Sequence, residues 1–510
     1  MLIRRTRWHA EADVVVIGYG LGGAAAALTA REGGADVIIL EKQDSPIPVS
    51  TSMMAGAVFI NPSDAREARR YLEATCRTEE GRYWTPPDIL RVLADYSVEN
   101  QQWLRSFGVD SLLRIHGGEH QAPGVESIDV YQVRGRGVLM MEQLDKQVRA
   151  RGITVMNSTA ATDLLTNERG EVVGVAARQG GRRVNVQARR AVVLATGGFE
   201  FDEEMKLQYL KVYPSYFGGT TACTGDGVRM ALGVGADLWH MNCCSATYAL
   251  KFPDFPQGFL FGFTGKHWRS PGESVLEGFA GRGWGEDAAE RLAAIPGYVV
   301  VDRDGKRYTN ENVKPHTVYY ELGLYDTQRL MHPRIPSYWI FDQKRLDDSP
   351  LIWETSGIAG PLRGYKWSRD NRAELEKGWI KRGETIADLA RQMDIPPETL
   401  QKTVDNYNLY CQHGEDAEFH RAPETLVPLA NPPYYSVPIW PGGPNTHGGP
   451  RRDRKAQILR ADGKPVPRLY GNGELGSVFG MLYPAAGGSF AECIVFGRIA
   501  GENACALPPR

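Results

Sequence analysis

The segment Asp13-Val14-Val15-Val16-Ile17-Gly18-Tyr19-Gly20-Leu21-Gly22-Gly23 decides the fold of this 510-residue chain. After Asp13, the four residues Val14–Ile17 form an apolar, β-branched run of the kind expected for a strand buried on both faces. The glycine motif follows directly, and the run Ala24–Arg31 is typical of a helix that Gly33-Gly34 ends. A second buried strand, Asp36–Leu40, stops at Glu41. This order of strand, glycine turn, helix and strand predicts a Rossmann-like α/β unit.

The glycines of this motif have separate predicted tasks. Gly18 makes the tight turn, Gly20 lets the backbone approach a pyrophosphate, and Gly23 lets the helix pack closely on the strand. The first N–H groups of a helix have no partner inside it, so they favour a phosphate. Glu41, about twenty residues downstream, is placed to accept hydrogen bonds from an adenosine ribose. We therefore predict a dinucleotide site that contains these residues and Gly22.

Composition limits the class of protein. The chain is 42% hydrophobic and 24% charged, which is ordinary for globular domains. Lys and Arg (59) nearly balance Asp and Glu (61), so the net charge of −2 gives no reason to expect a nucleic-acid partner. The sequence contains no run of about 18 apolar residues, so no transmembrane span is expected, while peripheral membrane contact stays open. Polar residues follow Arg7 where a secretion signal would be apolar, so we expect a cytoplasmic protein.

The seven cysteines are scattered along the chain and form no C-x-x-C pair. Disulfide frameworks, zinc sites, iron–sulfur clusters and covalent haem usually require such spacings. We therefore predict no metal site.

Two further strand-to-glycine breaks indicate which dinucleotide binds. Ala191–Leu194 is a buried strand run that leads into Ala195-Thr196-Gly197-Gly198, and Leu469–Glu474 repeats the pattern near the C-terminus. These downstream segments favour FAD over NAD. Because the last segment completes the nucleotide-binding half, a second domain must be inserted between the two ends. We predict an FAD-binding domain over 1–238 and 436–510 and a substrate-binding cap over 239–435.

The middle of the chain has a different pattern from its ends. Between Trp239 and Tyr435, loops, aromatic residues and polar helices replace the alternation of buried strands and helices. The stretch Lys251–Glu286 is rich in Gly, Phe and Pro, and it could either wall a flat apolar pocket or pack beneath a lid. Arg303-Asp304-Gly305 lies between two strand-like runs and predicts a hairpin. Amphipathic helices are predicted over 384–393 and 397–410, and the active site is expected in a cleft between cap and flavin.

Five motifs in a fixed order resemble a known group of flavoproteins. They are the N-terminal glycine motif, Ala195–Gly198, Thr224-Gly225-Asp226-Gly227, Gly305–Glu311 and the glycine-rich block before the C-terminus. Together they resemble the enzymes grouped around fumarate reductase and 3-ketosteroid dehydrogenase, over essentially the whole chain. The resemblance implies an α/β fold in which a Rossmann-like FAD-binding domain carries an inserted α+β substrate cap.

The resemblance also implies where this chain would hold FAD. Ser50–Gly56 would pass beside the isoalloxazine, Ala161 would meet the adenine through its backbone, and Glu474 with Ser489 would lie near the ribityl chain and flavin. His447 would lie at the pyrimidine edge, with an ordinary loop histidine as the alternative. Beyond the glycine motif and Glu41, the implied cofactor-binding residues are Ser50, Thr51, Ser52, Ala55, Gly56, Ala161, Thr196, Gly197, Gly198, Asp226, His447, Glu474 and Ser489.

Two segments bear on the substrate. Fumarate reductases grip a dicarboxylate with arginines, and neither Asn312–Tyr320 nor Gly480–Ser489 contains one. The second segment instead resembles the Tyr-Pro-x-x-Gly-x-(Ser/Thr) pattern of 3-ketosteroid dehydrogenases, whose tyrosine hydroxyl and glycine N–H hold the ketone oxygen. By position these would be Tyr483 and Gly487. Two neutral donors there would stabilise the enolate formed by deprotonation; the alternative is a turn beside the flavin without substrate contact.

The sequence leaves the proton acceptor open. In the steroid enzymes a tyrosine shortly after the Asn-Glu motif takes the proton, and this chain offers His316, Tyr319 and Tyr320 with an altered spacing. If Pro315 begins a helix, His316 shares one face with the two tyrosines. The same face could equally belong to the core.

The favoured function is therefore an FAD enzyme that introduces or removes a C=C bond next to a ketone in a hydrophobic, steroid-like substrate. It would combine proton abstraction with hydride transfer to flavin N5. The alternatives are a fumarate-reductase-like enzyme for a small enoate and a flavin subunit that transfers electrons without substrate chemistry. The electron acceptor, the direction of the reaction and the oligomeric state stay undetermined at this point.

Overall fold

The computed structural model describes residues 6–261, 297–312, 315–348, 350–352, 365 and 367–510. Contacts between Cα atoms divide the chain into two units. Unit 1 contains Met1–Leu210, Gly219–Ser245 and Asn445–Arg510, and unit 2 contains Lys211–Gly218 and Ala246–Pro444. The domain boundaries expected from the sequence, at 238/239 and 435/436, lie near these limits and stay a prediction.

The described residues form both helices and strands. The helices are α1 (Leu21–Glu32), α2 (Thr51–Met54), α3 (Ala65–Thr75), α4 (Pro87–Ser97), α5 (Asn100–Ser106), α6 (Arg136–Ala150), α7 (Glu203–Tyr209), α8 (Asp226–Gly233), α9 (Pro315–Leu322), α10 (Gln343–Asp348), α11 (Arg372–Glu376), α12 (Ile386–Gln392), α13 (Pro397–His413) and α14 (Gly488–Ala506). The strands are β1 (Ala10–Ile17), β2 (Val37–Leu40), β3 (Val58–Ile60), β4 (Ser111–His116), β5 (Asp129–Val133), β6 (Thr154–Met156), β7 (Thr159–Thr166), β8 (Val172–Gln179), β9 (Arg182–Leu194), β10 (Tyr216–Phe217), β11 (Leu238–Trp239), β12 (Cys244–Leu250), β13 (Phe259–Phe261), β14 (Tyr298–Val301), β15 (Ser337–Asp342), β16 (Lys381–Gly383), β17 (Tyr434–Thr446), β18 (Gly449–Pro450), β19 (Gln457–Leu459) and β20 (Pro465–Gly471). Within this described part, no helix has the length and apolar character needed to cross a membrane.

The main sheet of unit 1 joins the two ends of the chain. Its strand order is β19-β20-β9-β1-β2-β6, with β8 also paired to β9 and β7 paired to β8. β1 lies parallel to both β2 and β9, and β20 lies parallel to β9. The strand that follows residue 464 therefore completes the sheet that the first strand opens. The predicted α/β fold with a Rossmann-like nucleotide-binding half is confirmed.

Helices α1 and α14 pack against each other through small residues. A Cβ added to Gly497 would lie 2.6 Å from Ala25 Cβ, and one added to Gly501 would lie 2.6 Å from Ala26 O. Further along both helices, Gly33 adjoins Cys505. Because the contacts advance in the same direction along the two helices, the helices are parallel and their N-termini lie at the same end of unit 1.

Unit 2 is built on a sheet of order β13-β12-β17-β15-β14, with β10 and β16 also paired to β17. Helices α12 and α13, both predicted from the sequence, bury their apolar faces with β14 and β15. The shared core includes Val299, Ile340, Leu389 and Leu400.

The described part of the Phe-rich stretch packs against two tryptophans from a later part of unit 2. Phe252 stacks on Trp379 with 4.1 Å between ring centroids, and Phe259 meets Trp367 edge-on at 6.1 Å. Phe252 and Phe259 are both buried. These contacts favour the packing alternative over a pocket wall; residues 262–286 of the stretch, with Phe263, lie outside the described residues.

The predicted hairpin around Arg303-Asp304-Gly305 forms only in part. The tight turn is present, with Gly305 at φ +79° and Asp302 N–H donating to Lys306 O. However, only a single bridge, between Val301 and Arg307, follows the turn. β14 pairs along its length with β15, and Arg307 takes part in a buried ion cluster.

Two residues of the Gly305–Glu311 motif, Arg307 and Glu311, belong to this buried ion cluster. Arg307 Nη2 lies 2.7 Å from Glu311 Oε2 and 2.8 Å from Asp416 Oδ2. Arg421 Nη1 lies 3.5 Å from Glu311 Oε2 and donates to Tyr298 O at 2.7 Å. All four charged side chains are buried. The motif thus holds the fold of unit 2 together.

Glu311→Ala is expected to lower the free energy of unfolding by about 3 kcal/mol, because it leaves two buried guanidinium groups without a shared carboxylate. Chemical denaturation of the variant measures this. The matched control is Asp388→Ala, which breaks the exposed pair with Arg391 and should cost at most about 0.5 kcal/mol. Equal losses for the two variants would contradict the structural role of the motif.

Candidate active site

Gly18 and Gly23 build the turn between β1 and α1. Gly18 has φ +97°, and a Cβ there would lie 2.4 Å from Ala195 O. A Cβ on Gly23 would lie 2.0 Å from Gly18 O. Both positions require glycine for packing, since these contacts leave no room for a side chain.

Gly20 differs from these two glycines. Its φ of −90° and ψ of −169° suit any residue, and the nearest atom to an added Cβ is Ser52 Oγ at 3.4 Å. Gly20 is the N-cap of α1, and Ser52 Oγ accepts the N–H of Leu21 at 3.1 Å. The space beside Gly20 is therefore open toward a ligand at the N-terminus of α1.

Glu41 holds the glycine turn against the end of β2. Its Oε2 accepts the N–H of Tyr19 at 3.0 Å, and its Oε1 accepts the N–H of Gln43 at 2.8 Å. Burial raises the pKa of the Glu41 carboxyl, while both hydrogen bonds act in the opposite direction. Each carboxylate oxygen can accept a second donor, so the group keeps capacity for a ribose hydroxyl.

A cavity of about 810 Å³, including the open solvent at its mouth, lies along these elements of unit 1. The residues predicted for the cofactor that line it are Gly18, Gly20, Gly22, Glu41, Ser50, Thr51, Ser52, Ala161, Thr196, Gly197, Asp226 and Glu474. The other predicted residues, Gly23, Ala55, Gly56, Gly198, His447 and Ser489, are not among its lining residues.

Two buried polar atoms in the cavity wall test whether a dinucleotide fits. Thr196 Oγ1 and Asn472 Oδ1 have no hydrogen-bond partner within the described part of the chain. Buried polar atoms normally have partners, so these two leave hydrogen-bonding capacity unused in residues of the cavity wall. The open space at Gly20, the helix N-terminus and the two carboxylates Glu41 and Glu474 match the parts of an extended dinucleotide.

Asp226 begins α8 and has a partner that the sequence analysis missed. Lys42 Nζ lies 2.6 Å from Asp226 Oδ2 and 2.8 Å from Thr224 Oγ1. Lys42 also lines the cavity. The position of Lys42 directly after Glu41 was the signal that could have indicated a place at the site. The sequence could not indicate its partner, which lies more than 180 residues away.

The segment Ser50–Gly56 is fixed by one local and two long-range hydrogen bonds. Ser50 Oγ caps α2 by accepting the N–H of Met53 at 3.2 Å. The carbonyl oxygen of Ala55 accepts the N–H of Gly137 at 3.2 Å, and that of Gly56 accepts Gln132 Nε2 at 2.9 Å. The segment therefore forms one wall of the cavity at Ser50–Ser52 and is anchored to the protein beyond it.

Tyr483 lies at the N-terminus of α14, in a turn that Gly487 completes. The Tyr483 hydroxyl accepts the N–H of Ser489 at 2.7 Å and donates to Ser489 Oγ at 3.2 Å. Gly487 has φ +89°, and a Cβ there would lie 2.6 Å from the backbone of Phe59. Burial raises the pKa of Tyr483 well above its usual value. The phenol is consequently neutral and able to donate a hydrogen bond.

A loop from an earlier part of unit 1 clamps the carbonyls of this turn. His120 Nε2 lies 2.8 Å from Tyr483 O, and the N–H of Glu119 donates to Pro484 O at 3.1 Å. The Tyr71 hydroxyl also donates to Pro484 O. Residue spacing gave no signal for these contacts.

His447 and Asn445 lie on the other side of Tyr483. The buried His447 ring is near-parallel to the Tyr483 ring, with 5.9 Å between centroids, and its Nδ1 lies 3.2 Å from Gly480 O. Asn445 Nδ2 lies 3.5 Å from Ser489 Oγ. The predicted residues His447, Tyr483, Gly487 and Ser489 are thus brought together.

Comparison with known proteins identifies the group. A family model described as FAD binding domain matches residues 13–250 and 272–490, which is most of the chain. The chain belongs to this family. Its cofactor is FAD, as predicted.

Relatives and one solved structure agree with this family. The chain is 28% identical to urocanate reductase of Eggerthella lenta, over 98% of this chain and 75% of that protein. It is 29% identical to 3-oxosteroid 1-dehydrogenase of Mycobacterium tuberculosis, over 72% of this chain but only 62% of that protein. The fold matches 3-ketosteroid delta1-dehydrogenase from Sterolibacterium denitrificans with a TM-score of 0.79 and 21% identity, over 97% of this chain and 99% of the other.

These findings make the chain an FAD-dependent oxidoreductase of the fumarate reductase and 3-ketosteroid dehydrogenase group. The resemblance stated from its motifs is confirmed. Relatives in this group differ in the substrates for which they are named, so the substrate needs a separate argument.

The three candidate bases of this FAD family member lie in unit 2. α9 begins at Pro315, the condition under which His316 was expected to share a face with the two tyrosines, and His316 and Tyr319 are both buried. The Tyr319 hydroxyl donates to Val212 O at 3.2 Å and lies 3.3 Å from Ser215 Oγ. Tyr319 therefore makes the contacts of a core tyrosine, and the identity of the base stays a prediction.

Proposed function

We propose that this FAD enzyme introduces or removes a C=C bond next to a ketone in a hydrophobic, steroid-like substrate. The observation that carries the proposal is the Tyr483 hydroxyl, which is held by Ser489 N–H at the start of α14. α1 begins at the same end of unit 1, and its N-cap Gly20 lines the cavity. A carbonyl-binding donor and a cofactor cavity in one unit support ketone chemistry.

The cavity residues suggest how FAD is held. The N-terminus of α1 and the open space at Gly20 suit the pyrophosphate, and Glu41 suits the adenosine ribose. Ala161 lines the cavity and suits the adenine, and Thr196, Ser50–Ser52 and Glu474 also line the cavity. Burial, reinforced by Glu200, raises the pKa of Glu474. When bound, FAD supplies the hydride acceptor or donor at N5.

The protein would polarise the ketone and take a proton from the carbon next to it. The Tyr483 hydroxyl and the Gly487 N–H would donate to the ketone oxygen, which stabilises negative charge there and acidifies the neighbouring C–H. A base would take that proton during desaturation and return it during reduction. His316 or Tyr320 suits this role better than Tyr319, whose hydroxyl proton goes to Val212 O.

Reduction of a small enoate is the second candidate, and the urocanate reductase relative favours it. A bound carboxylate, however, needs a charged partner when it is removed from water, and leaving it unpaired costs several kcal/mol. The sequence lacks arginine in both segments where fumarate reductases carry it. A neutral ketone needs donors at one oxygen only, and the rest of its burial is favourable at about 25 cal/mol per Å².

The anaerobic flavin spectrum tests the substrate class. We expect the oxidised enzyme to be bleached by a saturated 3-ketosteroid, or the reduced enzyme to be reoxidised by the corresponding enone. Fumarate, succinate and urocanate should produce no response under the same conditions. Reoxidation by an enoate without a response to any ketone would reverse the choice. A flavin that responds to neither class while exchanging electrons with an artificial dye would instead favour an electron-transfer subunit.

A further inference from the structure

Ser489 makes two different hydrogen bonds to one hydroxyl. Its backbone N–H donates to the Tyr483 oxygen at 2.7 Å, and its Oγ lies 3.2 Å from the same oxygen as acceptor. Tyr483 and Ser489 are each only 5% exposed. Two contacts of opposite polarity therefore meet at a buried phenol.

The backbone contact involves the N-terminus of a long helix. α14 has 19 residues, its N-cap is Gly487, and Ser489 is the second residue of its first turn. First-turn N–H groups have no acceptor inside the helix and carry the partial positive charge of its N-terminus. A hydrogen bond from such a donor withdraws electron density from the phenol oxygen and makes its O–H a stronger donor.

The side-chain contact is weaker. An O–H···O bond normally spans 2.5–3.0 Å, so the 3.2 Å contact from Tyr483 to Ser489 Oγ is long. Asn445 Nδ2 lies 3.5 Å from that Oγ on its other side. When a better acceptor, such as a ketone oxygen, lies near Tyr483, the Tyr483 hydroxyl can therefore donate to it in place of Ser489 Oγ at little cost in free energy.

We propose that Ser489 is a positioning residue that acts on Tyr483 in two opposed ways. Its N–H polarises the hydroxyl, which strengthens the hydrogen bond to the substrate oxygen. Its Oγ accepts the hydrogen bond of the Tyr483 hydroxyl until substrate arrives, and it so competes with the ketone oxygen for that donor. The inference rests on the proposed role of Tyr483 at the ketone, and it assigns Ser489 a task apart from contact with FAD.

Two variants separate these effects. Ser489→Ala removes the competing Oγ and keeps the N–H, so KM for the ketone should fall about threefold. Ser489→Pro removes both groups, and proline is tolerated in the first turn of a helix, where the preceding Gly488 has no Cβ to clash. Relative to Ser489→Ala, kcat should fall by about tenfold or more. FAD content and melting temperature check that both variants are folded.

If Ser489→Pro does not fold, a second variant serves instead. In it, the Ser489→Ala protein carries an ester in place of the amide between residues 488 and 489, so that it differs from Ser489→Ala only by the loss of the N–H. The ester and amide forms are matched in shape. A kcat that is equal in the two forms, while Tyr483→Phe is strongly impaired, would overturn the inference and leave the proposed function intact.

A measurement without substrate separates the inference from the proposed function. Trifluorotyrosine incorporated at position 483 reports its own pKa by absorbance. Removal of the Ser489 N–H should raise that pKa by about one unit, since the phenolate loses one charge-assisted hydrogen bond. This shift is expected even if no ketone reacts, in which case only the proposed function fails. An unshifted pKa would show that the N–H does not polarise the phenol.

Discussion

Gly20→Val is expected to give a folded protein without bound FAD. The backbone at Gly20 has φ −90° and ψ −169°, which valine adopts readily, and the nearest atom to an added Cβ is 3.4 Å away. The substitution should therefore leave the stability of the cofactor-free protein near that of the wild type. The new methyl groups would instead fill the space through which a pyrophosphate approaches the N-terminus of α1.

The visible absorbance of the purified variant measures the flavin, and circular dichroism measures the fold. Gly233→Ala is the control, because a Cβ there meets no atom within 4 Å at the exposed end of α8. This control should stay yellow. A yellow Gly20→Val protein with normal FAD content would place the cofactor away from the glycine turn and remove the basis of the assignment.

Local patterns predicted most of the nucleotide-binding half. The turn at Gly18, helix α1 and the end of β2 at Glu41 depend on residues within thirty positions of each other, where glycine, apolar and acidic residues have few alternative uses. The C-terminal strand β20 was predicted for the same reason, since its run ends in a glycine break like that of β9. Its parallel pairing with β9 was not predicted and is a finding of the structure.

Long-range side-chain contacts could not be predicted in this way. The ion pair of Lys42 with Asp226 and the clamp of His120 on Tyr483 O join residues that are 184 and 363 positions apart. No periodicity or spacing encodes such pairs. The hairpin at Gly305 was predicted only in part: its turn is local and forms, whereas β14 pairs with the distant strand β15, and Arg307 contacts Asp416, more than 100 residues away, as well as the nearby Glu311.

The residues assigned to the substrate also differ in whether their contacts are local or long-range. Tyr483, Gly487 and Ser489 lie within seven residues, so their closeness is local, but the two hydrogen bonds between Tyr483 and Ser489 were not predicted. By contrast, the contacts of His316, Tyr319 and Tyr320 depend on which other parts of unit 2 pack against α9. The sequence could not foresee that Val212 O accepts the Tyr319 hydroxyl.

Tyr483→Phe is expected to lower kcat on a ketone substrate by about 10² to 10³-fold, the usual loss for one donor at a developing oxyanion. FAD content should not change, because Tyr483 is not among the residues that line the cofactor cavity. The variant also leaves the buried Ser489 N–H without its acceptor, so the free energy of unfolding should fall by about 1 to 3 kcal/mol.

Tyr470→Phe separates the catalytic effect from the loss of stability. It removes another buried tyrosine hydroxyl of unit 1, one that donates to Asn503 O at 3.4 Å, and should leave kcat unchanged. Stopped-flow flavin reduction isolates the chemical step from product release in both variants. If Tyr483→Phe reduces its flavin as fast as the wild type while it melts earlier, the hydroxyl serves only to cap α14. The ketone oxygen would then need other donors, and the proposed chemistry would lose the group on which it depends.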